Sequence, residues 1–377
     1  MPNKIVNASA HRGGLSVSWE NGEVGHLPFF WLRDHATDEQ SFDSRSQQRE
    51  VITSSIDDDI APLDIRVSAD GELVELKWPD IDVWSGYASR FLMDYRSPRA
   101  GIPSWDKPAW DAQSISERNH RLSWEHYLAP DGDKKLLSGL ARDGFVMLTD
   151  CPTNFDTIQS LADLIGYVRH TIFGGLWDFE ANEGMADSAY TPRSLEPHTD
   201  GTYSHDAPGI QVLACWVYHA EGGDSRLVDG LKIAGRMAQE TPELFELLKT
   251  IPVPGRYAGD GVELIAERPV FRTNPRGEVV QVSYNNADRA PFRLDDKTMG
   301  EFYRALRVFH QMANSDTMHW RHILQPGELI VFDNWRVLHA RDGFRGQRKM
   351  AGCYLNHEDF ESVARKYGIS DGICLNS

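Results

Sequence analysis

The sequence is poor in cysteine and in long apolar runs, and each shortage excludes a class of protein. It contains four cysteines among 377 residues, and none of them forms a CxxC pair. This spacing indicates reduced, mostly buried thiols and not a disulfide framework. No stretch of 18 or more apolar residues occurs, so we expect no membrane span. The first residues lack a signal-peptide core, which predicts a cytoplasmic protein.

Positive charge is also scarce. The chain carries 39 Lys and Arg against 56 Asp and Glu, a formal net charge of −17. Nucleic-acid binding depends on basic patches, so we expect no nucleic-acid partner. The hydrophobic share of 41% is enough for one large domain and one small one.

The most informative motif is His198-Thr199-Asp200, with a second histidine, His339, much later in the chain. Two imidazoles and one carboxylate can occupy one face of an Fe(II) octahedron and leave three positions open. If Thr199 is extended, His198 and Asp200 point to the same side and can reach one ion. His339 follows a turn and a short apolar run, residues 327–335, that predict a buried strand. Taken alone, the triplet is a weak signal, because His-x-Asp is common by chance.

Arg348 lies shortly after His339 and just before an apolar segment. A guanidinium there could hold the far carboxylate of a dicarboxylate through two parallel hydrogen bonds. The alternative is a solvated residue in an arginine-rich hairpin, and the residues alone leave both interpretations open.

These motifs carry a resemblance to the γ-butyrobetaine and trimethyllysine dioxygenases. The matching strings are Ala189-Tyr190-Thr191, His198-Thr199-Asp200, Pro208-Gly209-Ile210-Gln211, Gly222-Gly223-Asp224-Ser225, Val228-Asp229-Gly230, Asn285-Asn286-Ala287 and Phe332-Asp333-Asn334-Trp335-Arg336-Val337-Leu338-His339. The resemblance implies a hydroxylase with Fe(II) on His198, Asp200 and His339, and with 2-oxoglutarate and O2 as cosubstrates. It implies that Arg348, helped by Ser225, binds 2-oxoglutarate. It further implies a small-molecule substrate and a homodimer, a frequent state in the family.

The resemblance also implies an α+β fold, in which a double-stranded β-helix (jelly-roll) with helical buttresses on one sheet follows a small β-rich domain. We expect the β-rich domain over residues 1–92, a linker laid across the surface over 93–120, and the dioxygenase domain over 121–377. Periodicity predicts strands near 14–19, 72–78 and 144–148. It predicts helices near 134–142, 157–167, 233–249 and 297–314.

The leading domain of the family often carries a zinc on a cysteine-rich loop. In this chain the corresponding loop, residues 35–43, has no cysteine, which excludes a thiolate zinc site. We treat His35, Asp38 and Asp43 as an ordinary polar loop and expect no structural zinc.

Aromatic residues match the family's cage for a quaternary ammonium group, which has no N–H to donate and is held against aromatic faces. The matching residues are Phe173, Trp177, Tyr190 and Tyr354. Each of them alone could equally be packed in a core.

The opposite end of the substrate departs from the carnitine-forming enzyme, with Asp187 in place of an Asn and Gly201 in place of a Tyr. A carboxylate facing a carboxylate is repulsive, so Asp187 points away, is protonated, or indicates another head group. Gly201 leaves room for a tetrahedral phosphonate. We place 2-(trimethylammonio)ethylphosphonate first, hydroxylated at the carbon next to phosphorus, and γ-butyrobetaine or trimethyllysine as alternatives. The remaining candidates for the anion are Tyr203, Asn285, Asn286 and Arg289.

Two other functions stay open at this point. One is a metal-free binding module for quaternary ammonium compounds, which would form no succinate with Fe(II). The other is a metallohydrolase on the same three ligands, which would work with Zn(II) and need neither O2 nor 2-oxoglutarate.

Overall fold

The computed structural model describes residues 3–98, 106–180, 191–259, 261–370 and 376. The chain divides into two compact units, Met1–Ile102 with Gly372–Ser377, and Pro103–Asp371. Among the described residues, no helix combines the length and the apolar character that crossing a membrane requires.

The N-terminal unit is built on two antiparallel three-stranded sheets. Its elements are β1 (Ile5–His11), β2 (Gly14–Trp19), β3 (Val24–Pro28), α1 (Phe29–Asp34), β4 (Phe42–Asp43), β5 (Gln48–Arg49), β6 (Asp64–Val67), β7 (Leu73–Lys77), β8 (Trp84–Ala88) and α2 (Ser89–Asp94). The sheets are β1-β2-β3 and β6-β7-β8. Alternate residues such as Val17 and Leu76 are fully buried in one shared core, as period-two patterning predicts.

Polar groups of the 35–43 loop are used in local hydrogen bonds. Asp38 Oδ2 accepts from the Ser85 hydroxyl at 2.6 Å. Asp43 accepts from the Arg45 N–H at 2.9 Å and from the Ser46 hydroxyl at 2.7 Å. These contacts suit the polar loop that the sequence predicts.

The C-terminal unit contains runs of strands separated by helices. The first half comprises α3 (Ala112–Ser116), β9 (Arg121–Ser123), α4 (Trp124–Tyr127), α5 (Gly132–Asp143), β10 (Phe145–Thr149), α6 (Phe155–Ile165), β11 (Trp177–Glu180), β12 (Leu195–His198), β13 (Ile210–Gly222) and β14 (Ser225–Asp229). The second half comprises α7 (Gly230–Glu240), α8 (Pro242–Thr250), β15 (Val253–Gly259), β16 (Val262–Arg268), β17 (Phe271–Thr273), β18 (Val279–Val282), α9 (Asp296–Ala313), β19 (His319–His322), β20 (Leu329–Asp333), β21 (Val337–Arg341), β22 (Phe344–Leu355) and α10 (His357–Lys366).

Two facing sheets form the centre of this unit. The larger has the order β11-β22-β13-β20-β10-β9, and the smaller has the order β12-β21-β14-β19. Along the chain, β12 to β14 and again β19 to β22 alternate between the two sheets. This alternation is the winding of a double-stranded β-helix, so the predicted jelly-roll fold is confirmed.

Helices cover the outer faces of both sheets. Leu140 of α5 and Leu161 of α6 pack with Val331 on the larger sheet. The smaller sheet is covered as well, where Val228 and Leu338 pack against α7, α8 and α9. The expectation of helices on one sheet only was therefore too narrow. Successive residues of a strand point to opposite faces, so this sheet has apolar residues outside as well as inside.

Two sequence expectations need correction. The helix predicted over 233–249 is two helices, because Pro242 cannot continue α7 and instead opens α8 at its first position. The linker expected over 93–120 is not a surface segment in its described second half. There Trp110 is 0% exposed and Ile115 of α3 is 1% exposed, both in a core of the C-terminal unit.

Candidate active site

The two sheets bring the three predicted metal ligands together. His198 is the last residue of β12 and lies opposite His339 on β21, with ring centroids 4.2 Å apart. Asp200 Oδ1 is 3.4 Å from His198 Nε2, and Asp200 Oδ2 is 3.6 Å from His339 Nε2. One ligand atom from each residue lies within 4.8 Å of the others, and the described residues contain no second group of this kind.

A buried asparagine fixes the backbone at Asp200. Asn334 Oδ1 accepts from the Asp200 N–H at 2.8 Å, and Asn334 Nδ2 donates to the carbonyls of Asp200 at 3.1 Å and Pro208 at 2.9 Å. Thr199 is held on its other side by Tyr284, whose carbonyl accepts from the Thr199 N–H at 2.8 Å. The ligand loop is therefore held by hydrogen bonds from the barrel.

The electrostatics suit a divalent cation. His198 Nδ1 lies 2.8 Å from the carbonyl of Glu196, and donation there leaves Nε2 free to bind a metal. Burial, together with the neighbouring His198, lowers the pKa of His339 to about 4, so its imidazole is neutral. Burial alone would raise the pKa of Asp200, but the adjacent histidines hold it well below its usual range. His339 and Asp200 thus have the protonation state that metal binding requires. Burial alone would lower the pKa of His198, but its hydrogen bond with Asp200 raises it, so a metal bound at Nε2 would compete with a proton.

Aromatic rings line one side of the same pocket. The Tyr354 ring centroid lies 5.7 Å from that of Trp177 and 6.3 Å from that of Phe173. Trp177 Nε1 is buried and has no hydrogen-bond partner among the described residues. Gly352 leaves space for the indole, because a Cβ there would lie 2.5 Å from the Trp177 ring. Tyr190, the fourth predicted cage residue, lies outside the described residues.

Two buried arginines line the other end. Arg348 on β22 is 5% exposed, which excludes the solvated-hairpin interpretation, and Arg341 on β21 is 6% exposed. Ser225 lies opposite Arg341 on β14. Both guanidiniums lie against the Phe344 ring, at 5.0 Å for Arg341 and 5.8 Å for Arg348 from its centre. Burial, and then the charge of Arg348, lowers the pKa of Arg341 to about 10. Arg341 follows His339 by two residues on β21, so their Cα atoms are about 7 Å apart. This distance is close to the length of a five-carbon dicarboxylate.

These groups share a single pocket. It is lined by the three ligands, by Phe173, Trp177 and Tyr354, and by Ser225, Arg341 and Arg348. Its volume is about 1080 Å³ with its open mouth included.

Family models match both units of the chain. Residues 107–354 match the taurine catabolism dioxygenase TauD, TfdA family, and residues 6–92 match the γ-butyrobetaine hydroxylase-like N-terminal family. Trimethyllysine dioxygenase of Meyerozyma guilliermondii is 30% identical over 96% of this chain and 95% of its own length. γ-Butyrobetaine dioxygenase of Pseudomonas sp. is 32% identical over 95% of this chain and 94% of its own.

The chain belongs to the γ-butyrobetaine and trimethyllysine dioxygenase family. It is an Fe(II)- and 2-oxoglutarate-dependent dioxygenase. In fold, it is also similar to the crystal structure of AAD-2 in complex with Mn(II) and N-oxalylglycine. That likeness has a TM-score of 0.50 and 12% identity, and it covers 68% of this chain and 98% of the other.

The residues of this dioxygenase fit the iron that the family uses. Two imidazole nitrogens and one carboxylate are the donor set of non-haem Fe(II) oxygenases. The separation of 3.4 Å between His198 Nε2 and Asp200 Oδ1 leaves room for an ion bonded to both atoms at about 2 Å. His198, Asp200 and His339 would hold the ion.

The predicted head-group residues of the dioxygenase fall in different places. Gly201, Tyr203 and Asn285 line the iron pocket. Asn286 and Arg289 line an adjacent cleft, where the Arg289 guanidinium lies 5.6 Å from the centre of the Tyr303 ring. The assignment of Asn286 and Arg289 to the substrate stays a prediction, and Asp187 lies outside the described residues.

Sequence reasoning missed three residues of the pocket region. Asp288 lines the pocket, where its Oδ2 accepts from Asn285 Nδ2 at 2.9 Å and from the Thr202 hydroxyl at 3.1 Å. Arg341 belongs to the arginine-rich hairpin that also contains Arg348. Asn334 was part of a matching string without a role. Arg341 had one available signal, its position two residues after His339 on a strand, which places both side chains on one face.

Proposed function

We propose that this dioxygenase hydroxylates a small trimethylammonium zwitterion, with 2-(trimethylammonio)ethylphosphonate as its first candidate and the carbon next to phosphorus as the site of reaction. The observation that carries the proposal is the group of aromatic rings beside the metal carboxylate. Trp177 and Tyr354 are good π donors, and a cation that carries only methyl groups is attracted to such faces.

Different residues of the pocket suit the cosubstrate and the substrate. Arg348, with Arg341 and Ser225 near it, offers buried positive charge to the distal carboxylate of 2-oxoglutarate. Bound Fe(II) supplies O2 activation coupled to oxidative decarboxylation of 2-oxoglutarate to succinate. The chain's own residues then decide which C–H is presented to the metal, because the aromatic rings would fix the cation and polar residues of the same pocket would fix the anion.

Gly201, Tyr203 and Asn285, which line the iron pocket, support a phosphonate as the anionic group of the substrate. The backbone gives a second reason for glycine at position 201. The φ of Gly201 is +74°, and a Cβ there would lie 2.5 Å from Pro208 Cδ, so the backbone itself favours glycine at this position. Room for a tetrahedral group is therefore a consequence of the local turn as well as a candidate specificity feature.

Trimethyllysine is the second candidate, because a carboxylate lies next to Asn285 in the same pocket. Asp288 lines the pocket, and an acidic group there suits the α-ammonium of an amino acid better than a phosphonate. The relative from Meyerozyma guilliermondii carries the name trimethyllysine dioxygenase.

A matched substrate series tests the proposal. Initial rates of succinate formation and product mass are measured with 2-(trimethylammonio)ethylphosphonate, γ-butyrobetaine and trimethyllysine. Each unmatched polar contact at a buried anion site costs about 1–3 kcal/mol, so two or three contacts separate kcat/KM by more than about a hundredfold. Y203F should slow the phosphonate reaction selectively. A higher kcat/KM for γ-butyrobetaine or trimethyllysine overturns the choice of head group.

A dimethylamino analogue of each compound is the control for the cation. It loses the fixed, fully alkylated charge and should be a weaker substrate in every pair. Equal kcat/KM for the dimethylamino and trimethylammonium forms would contradict the aromatic cage.

A further inference from the structure

Tyr354 belongs to two parts of the active site at once. Its ring packs beside Trp177 and Phe173 on the aromatic side of the pocket. Its hydroxyl donates a hydrogen bond to Asp200 Oδ2 at 2.9 Å. The side chain lies on β22 and is 5% exposed, so little of the phenol meets water. Contact with a cation requires only the ring, so the hydroxyl bonded to a metal ligand has a role of its own.

Asp200 is thereby fixed at three of its atoms. Asn334 bonds the N–H and the carbonyl, and Tyr354 bonds Oδ2. The other oxygen, Oδ1, lies on the side of His198 Nε2 at 3.4 Å. A carboxylate with one oxygen engaged in a hydrogen bond presents the other to the metal in a defined direction. Partners of this kind orient metal ligands and tune the affinity of the site.

We propose that Tyr354 is a positioning residue for Asp200, so that one side chain both sets the orientation of an iron ligand and forms a wall of the substrate pocket. The first half of this inference needs only the iron site of the family. The second half rests on the trimethylammonium substrate proposed above.

The shared side chain couples the two ligands. A cation seated against the Tyr354 ring restricts the ring, and with it the hydroxyl that orients Asp200. Substrate binding therefore tightens metal binding, and thermodynamic linkage requires that the metal tighten substrate binding by the same factor.

The test is an anaerobic titration of the metal-free protein with Fe(II). Y354F keeps the ring and removes only the hydroxyl, and it should weaken Fe(II) binding about ten- to a hundredfold. The matched control is Y284F, which removes another buried phenol behind the metal loop. The Tyr284 hydroxyl lies 3.3 Å from His310 Nδ1, whereas Tyr284 accepts from the Thr199 N–H through its backbone carbonyl, which Y284F keeps. This variant should therefore bind Fe(II) like the unmodified protein.

A spectroscopic readout separates orientation from general destabilisation. The visible charge-transfer band of the Fe(II)–2-oxoglutarate complex depends on the ligand geometry at iron, and it is recorded at saturating metal, where only folded protein contributes. The band should shift in Y354F and stay in place in Y284F. Unchanged Fe(II) affinity together with an unchanged band in Y354F overturns the proposal.

Repeating the titration with 2-(trimethylammonio)ethylphosphonate present distinguishes this inference from the proposed function. The compound should tighten Fe(II) binding in the unmodified protein and have a smaller effect in Y354F. If the compound does not bind but Y354F still weakens Fe(II) binding, the positioning role stands and the substrate proposal fails. If the compound binds but Y354F and the unmodified protein have equal Fe(II) affinity and equal bands, the positioning role fails and the substrate proposal stands.

Discussion

Replacing Arg348 by Ala should raise the 2-oxoglutarate requirement of this dioxygenase far more than its substrate requirement. Arg348 is 5% exposed and lines the iron pocket, and burial lowers the pKa of its guanidinium, as expected for a charge that lacks water. A charge-assisted pair with a carboxylate contributes about 2–3 kcal/mol, which corresponds to about a 30- to 150-fold change in affinity. Because Arg341 remains nearby and keeps part of the positive charge, we expect the lower half of this range.

The assay is the initial rate of succinate formation as a function of 2-oxoglutarate at saturating substrate, followed by the reverse experiment. The matched control is R345A, which removes an exposed guanidinium from the same hairpin. R348A should show a raised KM for 2-oxoglutarate and a nearly unchanged KM for the substrate, whereas R345A should change neither. Equal 2-oxoglutarate dependence in R348A and R345A would refute the assignment of Arg348 to the cosubstrate.

Three further variants test other parts of the account. W177L should raise the substrate KM about tenfold without altering the 2-oxoglutarate KM, because a cation–π contact in a desolvated pocket is worth about 1–2 kcal/mol; a normal substrate KM would remove Trp177 from the cage. N334A should weaken Fe(II) binding and lower the free energy of unfolding by about 1–3 kcal/mol, since it leaves the Asp200 N–H and the Pro208 carbonyl without this partner. Metal titration measures the first effect and urea unfolding the second. Unchanged Fe(II) affinity would show that the Asn334 hydrogen bonds do not contribute to metal binding. D229N should cost about 3–5 kcal/mol in urea unfolding, because Arg336 is 2% exposed and its Nη2 lies 2.9 Å from Asp229 Oδ2; a loss below about 1 kcal/mol would contradict this.

The fold was predictable where local patterns are strong. Leu136, Leu137 and Leu140 mark one face of α5, and Gly144 ends that helix with φ +77°. The strand before His339 was predictable from a turn followed by an apolar run, and β20 is buried throughout. The jelly-roll itself came from the family resemblance, because no local pattern states which strands pair across the two sheets.

The metal site was predictable as a set of residues but not as a geometry. His198 and His339 become neighbours only through the register of β12 with β21, which depends on contacts across the whole barrel. Arg341 reaches the pocket for the same reason. Its role could not be read from a turn that also contains the exposed Arg345. Arg341 is buried and Arg345 is exposed, and this difference arises only in the folded chain.

The most direct test of the central claim uses metal-free protein in four parallel reactions. Fe(II), 2-oxoglutarate, O2 and a trimethylammonium compound are combined, and then O2 is omitted, Fe(II) is replaced by Zn(II), or the H339A variant is used. Succinate and a product heavier by one oxygen atom should form in equal amounts in the complete reaction and in none of the others. Conversion of the compound with Zn(II) and without O2 would instead indicate a hydrolase, and undiminished turnover by H339A would remove the iron site from His198, Asp200 and His339.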